Sequence, residues 1–422
     1  MLKYIRFIII FQLGFSSIAV AQDTISLNWC IDKAHINHPR FGNTSIIESI
    51  SENKLENIHS GNLPQLELNG KASYQSDAIS IDLPIPGIDF PSSPKDQYKV
   101  SLDITQSIYD GGFSKSKSKI EDASKNVEIS QLEIDLRTSK MQIKDLYFSI
   151  LNLQKNLEII DVSLNQLQEN RIVVETGINN GVLLDSDRDL LDVEIIKLKQ
   201  RKSELLNAKR TGIEVLSFKM GEAIDPSVTF LPTDFYIPQL DSIERMEEKL
   251  LDQQAEVLEM NKSLLKARTM PKLYAFGQFA YGNPGLNMLK DEFDTYYIVG
   301  AGLKWTIWDW NTTNRDKEAL TYQQNLINSR KLQFESDIHS ALVNQKSTIK
   351  NHEENLLAFE NILNLRSNIT KTAKVQLQQG VMKTLDYLTI FNQETMSRIQ
   401  LENEKLLLQQ AIAKYLEITG EL

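Results

Sequence analysis

The sequence predicts a mixed fold in which long antiparallel helical hairpins are combined with transmembrane β-strands, and in which the whole arrangement is built twice. Three observations carry the prediction. From Phe113 to about Glu175, and again from Asn314 to about Leu377, proline is absent. In the first of these stretches apolar residues recur at helical spacing with polar residues between them. Tyr98–Ile108 and Tyr297–Ile307 instead alternate apolar and polar residues with a period of two, the signature of a strand with one apolar face. Finally, landmarks of one half return in the other at a nearly constant offset.

Residues 1–21 carry Lys3 and Arg6, an apolar run from Phe7 to Phe11 that continues to Val20, and Ala19-Val20-Ala21 before Gln22. This is the pattern of a secretory signal peptide. No later stretch approaches the roughly 20 apolar residues of a membrane-crossing helix, so the expected mature chain is soluble or spans as a β-barrel. Loss of Lys3 and Arg6 moves the formal charge from −10 to −12, a sign that disfavours nucleic acid. Cys30 is the one cysteine, which excludes an internal disulfide; placed between Leu27 and Ala34 on an amphipathic helix, it reads as a buried structural thiol.

Leu63-Pro64-Gln65-Leu66 through Tyr74 returns as Met270-Pro271-Lys272-Leu273 through Tyr281, an offset of 207. The offset then settles at 199: Ile108-Tyr109-Asp110 with Ile307-Trp308-Asp309, Gly181-Val182 with Gly380-Val381, Asp187 with Asp386, and Gly221-Glu222 with Gly420-Glu421. The first repeat is expected over 22–236 and the second over 237–422, joined near Asp225–Gln239. Each repeat reads as helix, strand, loop, strand, very long helix, turn, helix.

Along the strands, Leu66, Leu68, Gly70, Ala72 and Tyr74 oppose Glu67, Asn69, Lys71 and Ser73. Tyr98, Val100, Leu102 and Ile104 oppose Lys99, Ser101, Asp103 and Thr105. Tyr297, Val299, Ala301, Leu303, Trp305 and Ile307 oppose Gly300, Gly302, Lys304 and Thr306. Strands of this length with one apolar face and aromatics near their ends suit a transmembrane barrel. The segments Ser76–Asp96, with Pro84, Pro86, Pro91 and Pro94, and Asn283–Asp294, with Pro284, read as the outer loops. At 1.5 Å per residue each long helix would reach roughly 95 Å, and a stripe of that length needs partner helices.

A sheet in lipid must close on itself, because its edge N–H and C=O groups find no water there. Four strands are too few, so several chains must share one barrel; counting alone does not choose among two, three or four chains.

These residues together resemble the TolC family of outer-membrane efflux proteins. The resemblance rests on the paired strands, the Ile-[Tyr/Trp]-Asp hand-over to each long helix, and the two tips, Asn179-Asn180-Gly181-Val182-Leu183-Leu184-Asp185-Ser186-Asp187 and Leu377-Gln378-Gln379-Gly380-Val381-Met382-Lys383-Thr384-Leu385-Asp386-Tyr387-Leu388. It implies a homotrimer with a shared 12-stranded barrel in outer-membrane lipid and a helical tunnel across the periplasm. The chain would be the passive exit channel of a tripartite efflux or type I secretion system, opened at its tips by a periplasmic adaptor protein and an inner-membrane transporter.

Residue by residue, the resemblance makes Asp386 the gate ring, six positions after Gly380, with Asp187 in the equivalent place of the first repeat. Asp187 and Asp386 each have a plain alternative as a helix-start residue. Gly181, Val182, Gly380 and Val381 are the expected adaptor contacts, and both glycines are expected at φ > 0. A second family acid falls on Thr389 and a basic latch residue on Met382, two departures that imply a differently bonded closed state. Neither cofactor, metal nor enzyme chemistry is expected: the five histidines are scattered, and no nucleophile elbow, P-loop or dinucleotide fingerprint occurs. The rival reading is a periplasmic coiled-coil adaptor or structural protein.

Overall fold

The computed structural model describes residues 24–78, 92–238 and 245–421. The expected signal peptide and Pro84, Pro86 and Pro91 of the first loop lie outside the described residues. The first half runs β1 (Thr24–Ile25), α1 (Leu27–Ile36), α2 (Asn43–Ser60), β2 (Gln65–Tyr74), β3 (Asp96–Tyr109), α3 (Phe113–Asn179), α4 (Asp185–Met220) and β4 (Thr229–Phe230). The second runs α5 (Met246–Arg268), β5 (Lys272–Asn283), β6 (Asp294–Lys304), α6 (Thr312–Gln378) and α7 (Thr384–Thr419). Both ends of α3 and of α4 recur 199 positions later in α6 and α7, so the long helices have 67 residues each and the returning helices 36 each.

Two compact units are present, and each draws segments from both sequence halves. One comprises 39–138, 238–345 and 415–422 and contains the sheet. Its strands pair antiparallel in the order β2-β3-β5-β6, with β3 and β5 joining the two halves. The register places Leu68, Leu102, Phe279 and Tyr297 abreast on one face. Apart from Asp96, Gln106, Asn283 and Thr295 towards its ends, that face is apolar, and it is exposed: Leu68 is 74 %, Val299 78 % and Leu303 68 % accessible.

The opposite face is polar on β2 and β3, mixed on β5 and β6, and hydrogen-bonded across strands. Asn69 Nδ2 and Ser101 Oγ donate to Asp103 Oδ2 at 2.7 and 2.9 Å. Gln278 Nε2 donates to Asp103 Oδ1, and Lys99 Nζ donates to Gln278 Oε1 at 2.8 Å. On this face the rings of Phe276 and Tyr274 lie over their register partners Gly300 and Gly302; a Cβ at 300 would stand 2.6 Å from Phe276 Cζ. The two glycines are therefore spaces for aromatic rings.

One strand boundary departs from expectation. The alternation continues to Ile307, but β6 ends at Lys304. Trp305 turns its indole N–H onto the Thr269 carbonyl at 3.1 Å, and the following residues carry Asp309 to the start of α6. There Asp309 accepts from the N–H groups of Asn311 and Thr313 at 3.0 and 2.9 Å. In the first half Asp110 does the same for Gly112, Phe113 and Ser114 at 2.9, 3.1 and 2.6 Å. The aspartate of the repeated Ile-[Tyr/Trp]-Asp motif is thus the cap of each long helix, satisfying N–H groups that have no partner within it. These bonds hold the exposed Asp309 carboxyl down at about 2. At Asp110 partial burial pushes upward, but the same set of bonds outweighs it and the carboxyl lies below its usual range.

The other unit comprises 1–38, 139–237 and 346–414. The apolar stripe of α3 is buried as its spacing predicts, with Ile143, Ile150, Leu157, Ile160, Leu164 and Leu167 all in the interior. The first half also contains the parallel pair β1–β4, which has no counterpart among the described residues of the second. Gln154 completes it, its side chain bonding both the Phe230 N–H at 2.9 Å and the Phe230 carbonyl at 3.1 Å. Cys30 is fully buried in the adjoining core, where desolvation pushes its thiol up to about 12.

Candidate functional site: the two hairpin tips

Each long hairpin reverses in the five or so residues between its helices, and the reversal is made by backbone geometry. At the first tip the Gly181 N–H bonds Ile178 O, and the Val182 and Leu183 N–H groups both bond Gly177 O. At the second the Gly380 N–H bonds Leu377 O, and the Val381 and Met382 N–H groups both bond Gln376 O. This pattern ends a helix by turning one residue left-handed. Gly181 and Gly380 occupy that place, at φ of 73° and 72°. Val182 and Val381 follow, at 62 % and 76 % exposure.

The two aspartates sit at the third position of α4 and of α7, yet their surroundings differ. Asp187 Oδ2 accepts the Leu184 N–H at 3.0 Å, so its charge faces an orphan donor at the start of α4. Arg188 beside it is shared among Asp185 at 3.2 Å, Asp189 at 3.7 Å and Glu175 at 4.0 Å. Asp386 is exposed and makes no hydrogen bond or ion pair among the described residues. Thr389, on the position of the second family acid, donates to its own helix at Leu385 O, 3.0 Å away. Met382, on the position of the basic latch residue, packs against the tip core.

That core holds the tips together. Tyr387, Leu388 and Phe391 of α7 are buried against Leu167, Val174, Leu191 and Leu377. Asn170 Nδ2 donates to the Tyr387 hydroxyl, linking α3 to α7 inside the core. Burial pushes the Tyr387 phenol up to about 12, against the opposing pull of that hydrogen bond. Arg171 on α3 pairs with Asp192 on α4 at 2.6 Å, and Lys374 on α6 with Glu169 on α3 at 3.5 Å. The tips also touch directly, since a Cβ at Gly380 would lie 2.7 Å from Val182 Cγ1.

The sequence placed the six candidate residues at two tips, and the fold brings the tips side by side. It did not disclose the Asn170–Tyr387 bond, nor that Gly177 leaves room for Leu183, whose Cδ1 would stand 2.8 Å from a Cβ there. Helical periodicity marks such positions as interior or not, and says nothing of which interior polar groups pair. Among the described residues no group of three or more His, Cys, Asp or Glu is placed to hold a metal.

No protein-family model and no curated protein sequence matches the chain. Solved structures do. The outer membrane protein VceC from Vibrio cholerae superposes with a TM-score of 0.69 at 11 % identity, over 93 % of this chain and 96 % of that one. The CusC channel gives 0.70 at 12 %, over 93 % and 91 %. The open state of the Neisseria gonorrhoeae MtrE outer membrane channel gives 0.67 at 13 %, over 93 % and 88 %. At these identities the likeness is one of fold: the chain shares its fold with these outer-membrane channel structures.

Proposed function

We propose that this protein is an outer-membrane channel, a passive conduit without enzymatic chemistry, whose large helical part lies in the periplasm. The observation that carries the reading is the sheet: an exposed, largely apolar face backed by a face with a cross-strand hydrogen-bonded polar network. In water the apolar face would be a liability, whereas in lipid it is the favourable side, with the polar face lining an aqueous lumen. A periplasmic adaptor would leave that face in water.

The sheet's edges, β2 and β6, require neighbours, and α6 carries exposed apolar residues along its length, among them Tyr322, Leu326, Leu357 and Leu365. Both features support a homotrimer in which 22–236 and 237–422 act as duplicated units, giving twelve strands and twelve tunnel helices. Gly181, Val182, Gly380 and Val381 then face a periplasmic adaptor coupled to an inner-membrane transporter, for efflux or type I secretion. Asp386, copied three times around the axis, forms the ring that narrows the tunnel, and Asp187 holds the start of α4 beside it. Three uncompensated carboxylates at a throat attract cations and repel one another.

The experiment is reconstitution of the purified protein in planar bilayers. Discrete conductance that prefers cations and is blocked by multivalent cations supports the reading; vesicle-bound protein that never conducts, even with the tip core loosened by Tyr387→Phe, opposes it.

A further inference from the structure

β2 and β6 are the two edges of the sheet, so each has a second side along which no strand lies. The chain itself contains the template for what pairs there. Shifting the β2–β3 hairpin by the offsets of the duplication, 207 for β2 and 199 for β3, reproduces the β5–β6 hairpin residue for residue. The pair Ala72 and Tyr98 becomes Phe279 and Tyr297, and the pair Leu66 and Ile104 becomes Leu273 and Leu303. Even the last pair of one hairpin, Gln65 and Thr105, becomes the last pair of the other, Lys272 and Lys304. The two halves keep one register.

The β3–β5 pairing joins half to half, and the same offsets carry it onto β6 of one copy and β2 of the next. Leu102 opposite Phe279 becomes Ala301 opposite Ala72, and Gln106 opposite Ala275 becomes Trp305 opposite Leu68. Direction agrees, because neighbouring strands of the sheet alternate and β6 therefore runs antiparallel to a following β2. The faces agree as well: Val299 falls opposite Tyr74 and Leu303 opposite Gly70, all on the apolar side.

This seam also accounts for the early end of β6. In β3, Gln106 and Ser107 lie beyond the last β2 partner and stay in the ladder through β5 alone. Their counterparts Trp305 and Thr306 lie just beyond the last β5 partner, where β6 has no strand on its other side. Leu68 and Glu67 of a second copy would hold them. Charge fits the same register. Glu67 and Lys304 are exposed, and neither side chain makes a hydrogen bond or ion pair among the described residues. The seam sets them on a diagonal that long side chains span, whereas a two-residue slip placing Lys304 opposite Lys71 would set like charges abreast.

We propose that β6 of one copy pairs antiparallel with β2 of the next with Ala301 opposite Ala72, and that this ladder runs on through Thr306. The inference rests on the homotrimer reading above and gives it a residue-level seam.

Disulfide trapping in the full chain tests it, with the buried Cys30 left in place. β2 and β6 of one chain stand three strand spacings apart, about 14 Å, so a bond between them must join two copies. On oxidation with copper phenanthroline, Ala72→Cys with Ala301→Cys is expected to give nearly complete covalent trimer on a denaturing gel without reductant. Tyr74→Cys with Val299→Cys is a second in-register pair, so that the outcome does not hang on the folding of one variant. Ala72→Cys with Val299→Cys, or with Leu303→Cys, lies on a diagonal of roughly 7–8 Å, beyond a disulfide's reach, and is expected to couple several-fold less. Stronger coupling at a diagonal pair overturns this register and leaves the shared barrel standing. Three-chain particles in which no pair couples overturn the seam while sparing the homotrimer. Folded single chains uncoupled at every pair defeat both.

Discussion

Gly380 and Val182 meet where the two hairpin tips abut: a Cβ on the glycine would come within 2.7 Å of Val182 Cγ1, while a Cβ on Gly181 would meet nothing within 4 Å. The two tip glycines share a backbone conformation and differ in what surrounds them.

Gly181→Ala therefore carries only the left-handed penalty, roughly 1–2 kcal/mol. Gly380→Ala adds a steric overlap of about a further 1 kcal/mol, and Gly380→Val more. Val182→Ala combined with Gly380→Ala recovers the difference. Thermal unfolding in detergent of the unaltered protein, Val182→Ala, Gly380→Ala and the double variant closes the cycle; equal losses for Gly181→Ala and Gly380→Ala would contradict the contact.

The two tip aspartates separate by readout. Asp386→Asn reduces cation selectivity and multivalent block in planar bilayers with little change in stability, because Asp386 holds nothing in place. Asp187→Asn loses its charge beside the Leu184 N–H and lowers stability by about 0.3–1 kcal/mol, the usual worth of a carboxylate at a helix start.

Tyr387→Phe strands the buried Asn170 amide, at a cost of about 1–3 kcal/mol. The loss falls inside the tip core, so open events in single-channel records lengthen. Unchanged gating with the expected stability loss would show that this bond is structural only.

The helix caps predict an acid limb. Asp309 titrates at about 2 when folded, against about 3.9 for an unfolded aspartate, so its contribution is complete above pH 4 and fades as pH falls toward 2. Asp309→Asn flattens this part of the stability–pH curve. Asp110→Ala costs about 0.5–2 kcal/mol at neutral pH, the range of a lost N-cap.

Much of this was legible in the sequence, because the long helices and the strands obey different periods and each period was kept over many residues. The 199-residue offset of Gly181 and Gly380 located both reversals, and their left-handed geometry followed from residue type. The helix-capping role of Asp110 and Asp309 stayed hidden inside a family motif, although an aspartate just before a polar first turn is itself a start signal. Strand alternation overran β6 by three residues, since Trp305 and Ile307 keep the period while the chain has left the ladder to bring Asp309 to α6. The Phe276–Gly300 and Tyr274–Gly302 pairs depend on the β5–β6 register, which no local pattern encodes.

On the proposed function, an open four-stranded sheet with one lipid-facing side is completed by copies of the same chain. The mass of the detergent-extracted protein, stripped of detergent in a native mass spectrometer, tests it most directly. The expected result is a particle of three chains that falls to one only on denaturation. A folded single chain of unchanged helix and strand content would contradict it.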